Sequence, residues 1–160
     1  MPINMKIHEI LTKAASEPFR IFFLFGTAMA WIAVFFWPAK FFEIAFINTS
    51  TKVHVYLQIY GFLFAFILGF LTTAIPRFTQ TNTLSITELF LLVILYVSLV
   101  TSLFCHSFLF AHLFFVLNLL LLICILVPRV FKRKRNPPPT FIFLPFGFLL
   151  GLSGSCIQLC

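Results

Sequence analysis

The sequence predicts an all-α fold, a polytopic bundle of about five transmembrane helices, from its composition and from five long apolar segments. Of the 160 residues, 61% are hydrophobic and only 9% are charged, whereas soluble domains are roughly 45–50% apolar and 25% charged. A soluble core of this size would not bury so much apolar surface, so these side chains require the bilayer as their solvent. We therefore expect one membrane domain whose first partner is lipid.

The first span is predicted at residues 19–37, after a polar cytoplasmic segment, residues 1–18. That segment carries apolar residues at helical spacing, which is compatible with a short interfacial helix on the membrane surface or with a frayed tail. The span itself contains nineteen residues, about 28 Å of helix, which suffices to cross a bilayer. We expect Pro38 to end this helix and residues 39–52 to form an outer loop.

Four further apolar segments predict spans at residues 53–75, 86–104, 106–127 and 141–160. We expect Pro76 to close the first of these and Pro128 to close the third. Ser85 and Glu88 form a Ser-x-x-Glu pattern, which is typical of the capping box at a helix N-terminus. A tight turn is expected before the fourth span, and a linker with three consecutive prolines before the fifth.

The distribution of basic residues predicts the orientation of the bundle. With the N-terminus inside, nine of the eleven Lys and Arg residues lie in inner segments, five of them within residues 129–135, and only Lys40 and Lys52 lie outside. Short cytoplasmic segments of membrane proteins carry such an excess. The net charge of +7 therefore indicates topology, and we expect no nucleic-acid partner.

The second span has one face of small residues, on which Gly61, Ala65 and Gly69 recur at four-residue steps. Membrane helices approach closely at such faces. We therefore expect neighbouring transmembrane helices to pack there, either missing spans of this protein or those of another subunit. Bulky residues including Phe66 are expected to cover the rest of the helix.

Three histidines are candidate ligands for a cofactor or metal. His54 lies at the outer end of the small-residue face and is the first candidate for a metal, since histidine is the commonest metal ligand and an ionisable group in a span is costly. His106 and His112 are weaker candidates, about 120° apart on their helix, and His8 lies on the inner side. The alternative, an interfacial histidine without a ligand, stays open. No paired acid and base is visible, so a hydrolytic enzyme is not expected.

Residues 18–24 (PFRIFFL) and 69–76 (GFLTTAIP) resemble the NnrS family. This resemblance implies a multi-pass protein of the bacterial inner membrane, with haem and copper as cofactors and a role in the response to nitric oxide. It covers about the first eighty residues. Members usually have about twelve spans, so we expect this chain to correspond to the N-terminal portion of the bundle, as a fragment, a truncated gene product or a degenerate relative.

The family's second helix typically opens with His-x-His-Glu-Met before a Phe-Gly pair. Counted back from Gly69, its first histidine falls on His54 and its glycine on Gly61. Tyr56, Leu57 and Gln58 stand in place of the second histidine, the glutamate and the methionine. The Asn-Trp-Thr-Gly that usually follows the proline reads RFTQ at residues 77–80. These changes fall at the polar positions that would do chemistry. The resemblance therefore supports the fold and the family more firmly than it supports a complete cofactor site.

Two functions are therefore expected from the sequence. The first is an inner-membrane protein of the nitric oxide stress response with haem or copper on His54, and with His106 or His112 as a second ligand. The second is a cofactor-free membrane scaffold or truncated transporter-like fragment, which the near absence of charge within the spans favours over an ion-coupled transporter.

Overall fold

The structure, a computed structural model, describes residues 3–42 and 51–159, and this part of the chain contains helices, turns and loops but no strand. The predicted outer loop lies mostly outside the described residues. Six helices follow one another in the order α1 (Ile3–Ser16), α2 (Phe19–Phe41), α3 (Thr51–Thr79), α4 (Ile86–Phe104), α5 (Phe108–Phe131) and α6 (Phe143–Leu159).

The predicted all-α membrane fold is confirmed. Helices α2 to α5 are each long and apolar enough to cross a membrane, whereas α6 is an apolar helix of 17 residues. The fifth span therefore stays a prediction. The predicted capping box is also present, because the Ser85 hydroxyl accepts a hydrogen bond from the Glu88 amide and the Glu88 carboxylate accepts one from the Ser85 amide.

The prediction that prolines end the spans is wrong. Pro38, Pro76 and Pro128 each lie inside a helix that continues for three more residues. A proline lacks an amide hydrogen and disturbs the turn before it, but its carbonyl can still accept a hydrogen bond from a following residue. Each proline carbonyl here accepts the amide of a residue just beyond the helix, at 2.9–3.0 Å, so the last turn remains closed.

Helix α3 is the central helix of the bundle. Its most apolar stretch is 67% buried, against 44% or less in the other three long helices, and it packs against α2 and α5. Residues Leu57–Leu63 form a π-helical segment within it, a wider turn that is often found at functional sites. The Tyr96 hydroxyl of α4 donates a 2.6 Å hydrogen bond to the Gly61 carbonyl in this segment.

Helices α2 and α3 run antiparallel and meet at the small residues. A Cβ atom added to Gly69 would lie 3.0 Å from the Phe22 Cβ and 3.1 Å from the Phe19 Cα, and one added to Gly61 would lie 3.2 Å from the Met29 Cβ. Ala65 is fully buried at the same contact. Bulk at Gly69 would therefore collide with the backbone of α2.

Two residues of this contact differ from the sequence-based interpretation. Phe66 does not lie opposite the small-residue face, because its ring stacks on Phe23 of α2 with centroids 4.5 Å apart. A Cβ atom added to Gly26 of α2 would lie only 2.7 Å from the Phe66 ring. Gly26 thus makes room for Phe66. The exposed apolar residues of α3 include Ile59, Leu63, Ile67 and Phe70.

The basic residues are divided between the two ends of the bundle. Lys40 and Lys52 lie at one end and the other nine lie at the opposite end, following the alternating helix directions. At that basic end the Arg129 guanidinium pairs with both Glu88 oxygens, at 2.8 and 3.0 Å. It also donates to the carbonyls of Asn82 and Thr83, so that one side chain fastens the α3–α4 turn to α5.

Candidate functional site

The candidate site lies at the end of the bundle where α3 and α5 begin and where α2, α4 and α6 end. We call it the histidine end, because His54, His106 and His112 all lie there. His8 belongs to α1 at the basic end. The structure thus brings the three predicted histidines to one end, but each has different surroundings.

His54 faces α2 and both of its ring nitrogens have partners. Nδ1 lies 2.7 Å from the Ala33 carbonyl oxygen, which can only accept, so Nδ1 carries the proton. Nε2 therefore holds a lone pair, and it accepts a 2.9 Å hydrogen bond from Nε1 of Trp37. A backbone carbonyl that accepts the Nδ1 proton is the usual outer partner of a ligating histidine, whereas the Trp37 donor occupies the nitrogen that would bind the metal.

His112 lies in a buried polar cluster formed by three helices. It is 3% exposed, and its Nδ1 lies 3.1 Å from the Tyr60 hydroxyl. That hydroxyl also lies 3.3 Å from the Ser155 hydroxyl of α6. When Nδ1 donates to Tyr60 and Tyr60 donates to Ser155, the lone pair of Nε2 becomes available to a ligand; the other tautomer protonates Nε2 instead.

Aromatic rings surround this cluster. Tyr56 stacks on Tyr60 with centroids 5.6 Å apart, and both rings lie nearly perpendicular to the His112 ring, with centroids 5.3 and 5.5 Å from it. Tyr56, which stands where the resemblance implies a second histidine, therefore faces α5, whereas His54 faces α2. The two positions do not address one common site on α3.

His106 lies in the turn between α4 and α5 and is exposed. Its backbone has φ +55°, and two hydrogen bonds close the turn around it, from the His106 amide to the Leu103 carbonyl and from the Ser107 amide to the Ser102 carbonyl. This is a Schellman motif, in which the left-handed position usually holds glycine. The position of His106 is thus determined by helix termination.

The side chains at the histidine end fit a haem held by one histidine better than a copper site with several ligands. Among the described residues no group of three or more His, Cys, Asp or Glu side chains could hold a metal ion, so a copper site built from several side chains of this part of the chain does not fit. A single axial histidine on haem iron needs only one imidazole with a fixed tautomer. His54 has an imidazole of this kind, with Nδ1 on the Ala33 carbonyl and Nε2 accepting from Trp37.

Sequence reasoning missed Trp37, Tyr60 and Ser155. Trp37 and Tyr60 each contact a histidine, and Ser155 contacts Tyr60, across 17 to 95 residues of chain. None of the three belongs to a motif. One signal was present for Tyr60, since it follows Tyr56 by four residues, the spacing at which side chains on a helix meet.

Comparison with known proteins identifies the family of this chain. No curated protein and no solved structure matches the chain. The family model described as "NnrS protein" matches residues 13–159, nearly the whole chain. The protein therefore belongs to the NnrS family.

Proposed function

We propose that this protein acts in the bacterial inner membrane in the response to nitric oxide, and that His54 binds haem as an axial ligand. The observation that carries the proposal is the fixed tautomer of His54, with Nδ1 on the Ala33 carbonyl and the Nε2 lone pair on the side of Trp37. Haem iron held by histidine binds diatomic gases such as nitric oxide. Family membership supports the same role.

The residues around His54 would control access to it. The Trp37 indole meets the His54 ring edge-on, with centroids 5.4 Å apart, and its N–H must leave before Nε2 can bind anything else. Trp37 thus blocks Nε2 until its indole moves away, while the hydrogen bond to the Ala33 carbonyl keeps the His54 ring in its orientation. His112, with Tyr60 beneath Nδ1, is the second candidate ligand, and His106 is the third.

An absorption spectrum of the detergent-purified protein, expressed with haem and copper supplied, tests this proposal. We expect a Soret band in stoichiometric amount, its loss in His54→Ala and its retention in His8→Ala. Trp37→Phe, which removes the competing donor but keeps an aromatic ring, should increase haem occupancy. Full haem occupancy in His54→Ala would mean that another residue binds the haem. His112 is then the next candidate ligand, and His112→Ala tests it.

A cofactor-free scaffold is the second candidate. It is favoured by the two hydrogen bonds of His54, from Nδ1 to the Ala33 carbonyl and from the Trp37 indole to Nε2, because together they satisfy both ring nitrogens. In that case wild type binds neither haem nor copper, and Trp37→Phe only lowers stability. The nitric oxide role is tested separately: a strain without the gene should grow more slowly under a nitric oxide donor, and His54→Ala should fail to restore growth.

We also propose that the histidine end faces the periplasm and the basic end faces the cytoplasm. The nine basic residues at one end support this orientation. A cytoplasmic reporter joined after Arg135 should be active, and so should a periplasmic reporter joined near Thr51. The opposite pair of activities would reverse the orientation.

A further inference from the structure

A deep apolar groove runs between α5 and α6 at the basic end of the bundle. Its volume is about 830 Å³, within the roughly 300–1,000 Å³ of ligand pockets. Apart from Arg133 and Asn136, all of its lining residues are apolar. Three of these, Phe131, Ile142 and Leu149, are also largely exposed, so the groove is open along its side rather than sealed within the bundle.

The mouth of the groove is positively charged. Arg133 lies there, its Nε donating a 3.0 Å hydrogen bond to the Asn136 side-chain oxygen, which orients the guanidinium. Lys132, Lys134 and Arg135 belong to the same exposed loop. Among the described residues no carboxylate forms a salt bridge with any of these four cations, and Glu88 is already paired with Arg129.

We propose that this groove binds an anionic phospholipid, with an acyl chain along the wall formed by α5 and α6 and the headgroup phosphate on Arg133. The apolar groove supplies the site for the acyl chain, and Arg133, the cation that lines it, supplies the site for the negative charge. Arginine is suited to the phosphate because its planar donors can engage two oxygens at once. Basic pockets beside transmembrane helices recognise anionic headgroups in this way.

Native mass spectrometry of the full chain in neutral detergent tests the proposal, by titration with phosphatidylglycerol and with phosphatidylcholine of identical acyl chains. We expect phosphatidylglycerol to bind at least fivefold more tightly, since one basic residue near a membrane surface contributes about this factor. Equal affinity for the two lipids would overturn the proposal. So would a groove closed by a second copy, seen as a lipid-free dimer.

Variants separate the charge from the structure of the loop. Arg133→Gln should weaken phosphatidylglycerol binding about fivefold and leave phosphatidylcholine unchanged. Arg133→Lys should retain the preference although it also loses the bond to Asn136. Lys13→Gln, the matched loss of one charge on α1, should have no effect. An equal loss in Arg133→Lys and Arg133→Gln would mean that a positive charge at this position does not account for the preference, and would contradict the charge argument.

Two further measurements test whether the acyl chain contributes to lipid binding in the groove. Leu149→Trp, which fills the groove without changing charge, should weaken both lipids. Glycerol phosphate, the headgroup without chains, should not displace bound phosphatidylglycerol at equal concentration. Displacement by glycerol phosphate, or unchanged lipid binding in Leu149→Trp, would replace the lipid site with a simple anion site on the loop.

Discussion

Tyr96 and Gly61 connect α4 to the centre of α3, because the buried Tyr96 hydroxyl donates a 2.6 Å hydrogen bond to the Gly61 carbonyl. The carbonyl belongs to the π-helical segment, where the widened turn departs from ordinary helix hydrogen bonding. The Phe22 ring of α2 meets Tyr96 edge-on, with centroids 6.0 Å apart. One tyrosine therefore contacts both helices that meet at the small-residue face.

Replacing Tyr96 by Phe should lower the free energy of unfolding by about 1–3 kcal/mol, because it leaves a buried carbonyl without this donor while the ring remains. The measurement is unfolding in mixed micelles by sodium dodecyl sulfate titration. Thr101→Val is the control, since it removes an exposed hydroxyl that bonds only within its own helix. Equal effects of the two substitutions would mean that the Gly61 contact contributes nothing specific.

The helices and their local signals could be predicted from the sequence. Long apolar runs determine which segments can cross a membrane, and the capping box depends on residues three positions apart. The close approach at Gly69 also follows a local pattern, the four-residue spacing of small side chains. Each of these features depends on residues within one segment, so it can be predicted without the tertiary fold.

The histidine environments could not be predicted, because they depend on register between distant helices. Trp37 meets His54, with ring centroids 5.4 Å apart, because of the register of α2 against α3, which no local pattern specifies. The π-helical segment alters the direction in which the Tyr60 side chain leaves the helix axis. No local pattern in the sequence indicates that this segment is π-helical. The sequence predicts Phe66 away from the small-residue face, whereas Gly26, on another helix, makes room for its ring against α2.

Gly69→Leu should destabilise the bundle by about 1–3 kcal/mol, the usual cost of overpacking a close contact. Atoms of Phe22, Phe23 and Phe19 lie within 3.1 Å of the position that a Cβ would take, and the last of them is a backbone atom. Gly147→Leu is the matched control, because nothing lies within 4 Å of a Cβ at Gly147. Thermal unfolding in detergent compares the two, and a similar loss at both sites would contradict this packing.

Gln80→Gly should stabilise the protein by about 1 kcal/mol. Gln80 ends α3 with φ +52°, a conformation that costs an L-residue about 1–2 kcal/mol and glycine nothing. The Thr81 amide bonds to the Pro76 carbonyl and the Gln80 amide to Arg77, a Schellman motif that glycine would keep. The family's pattern has glycine here. Gln80→Ala, which retains the Cβ, should bring no gain, and an equal gain would refute the backbone argument.

His106→Gly should also stabilise the protein by about 1 kcal/mol, since His106 occupies the equivalent left-handed position at the end of α4. A ligating histidine predicts the opposite, because losing it would lower both stability and cofactor content. The comparison therefore uses two readouts, thermal unfolding and bound haem per protein. Higher stability with unchanged haem assigns His106 to the turn, and a loss of haem would restore it as a ligand.

The coupling free energy between Arg129 and Glu88 should be about 1.5–3 kcal/mol, the usual range for hydrogen bonds to charged groups. Its two bonds are 2.8 and 3.0 Å long, and the side chains are only 13% and 28% exposed, so solvent screens them less than it screens a surface pair. A double-mutant cycle of Arg129→Met and Glu88→Gln measures the coupling, because glutamine can still accept the Ser85 amide in the capping box. Arg129→Met alone should cost more than the coupling, since it also removes the donors to Asn82 and Thr83. Additive single effects would mean that the pair stabilises α4 and α5 only through those carbonyl contacts.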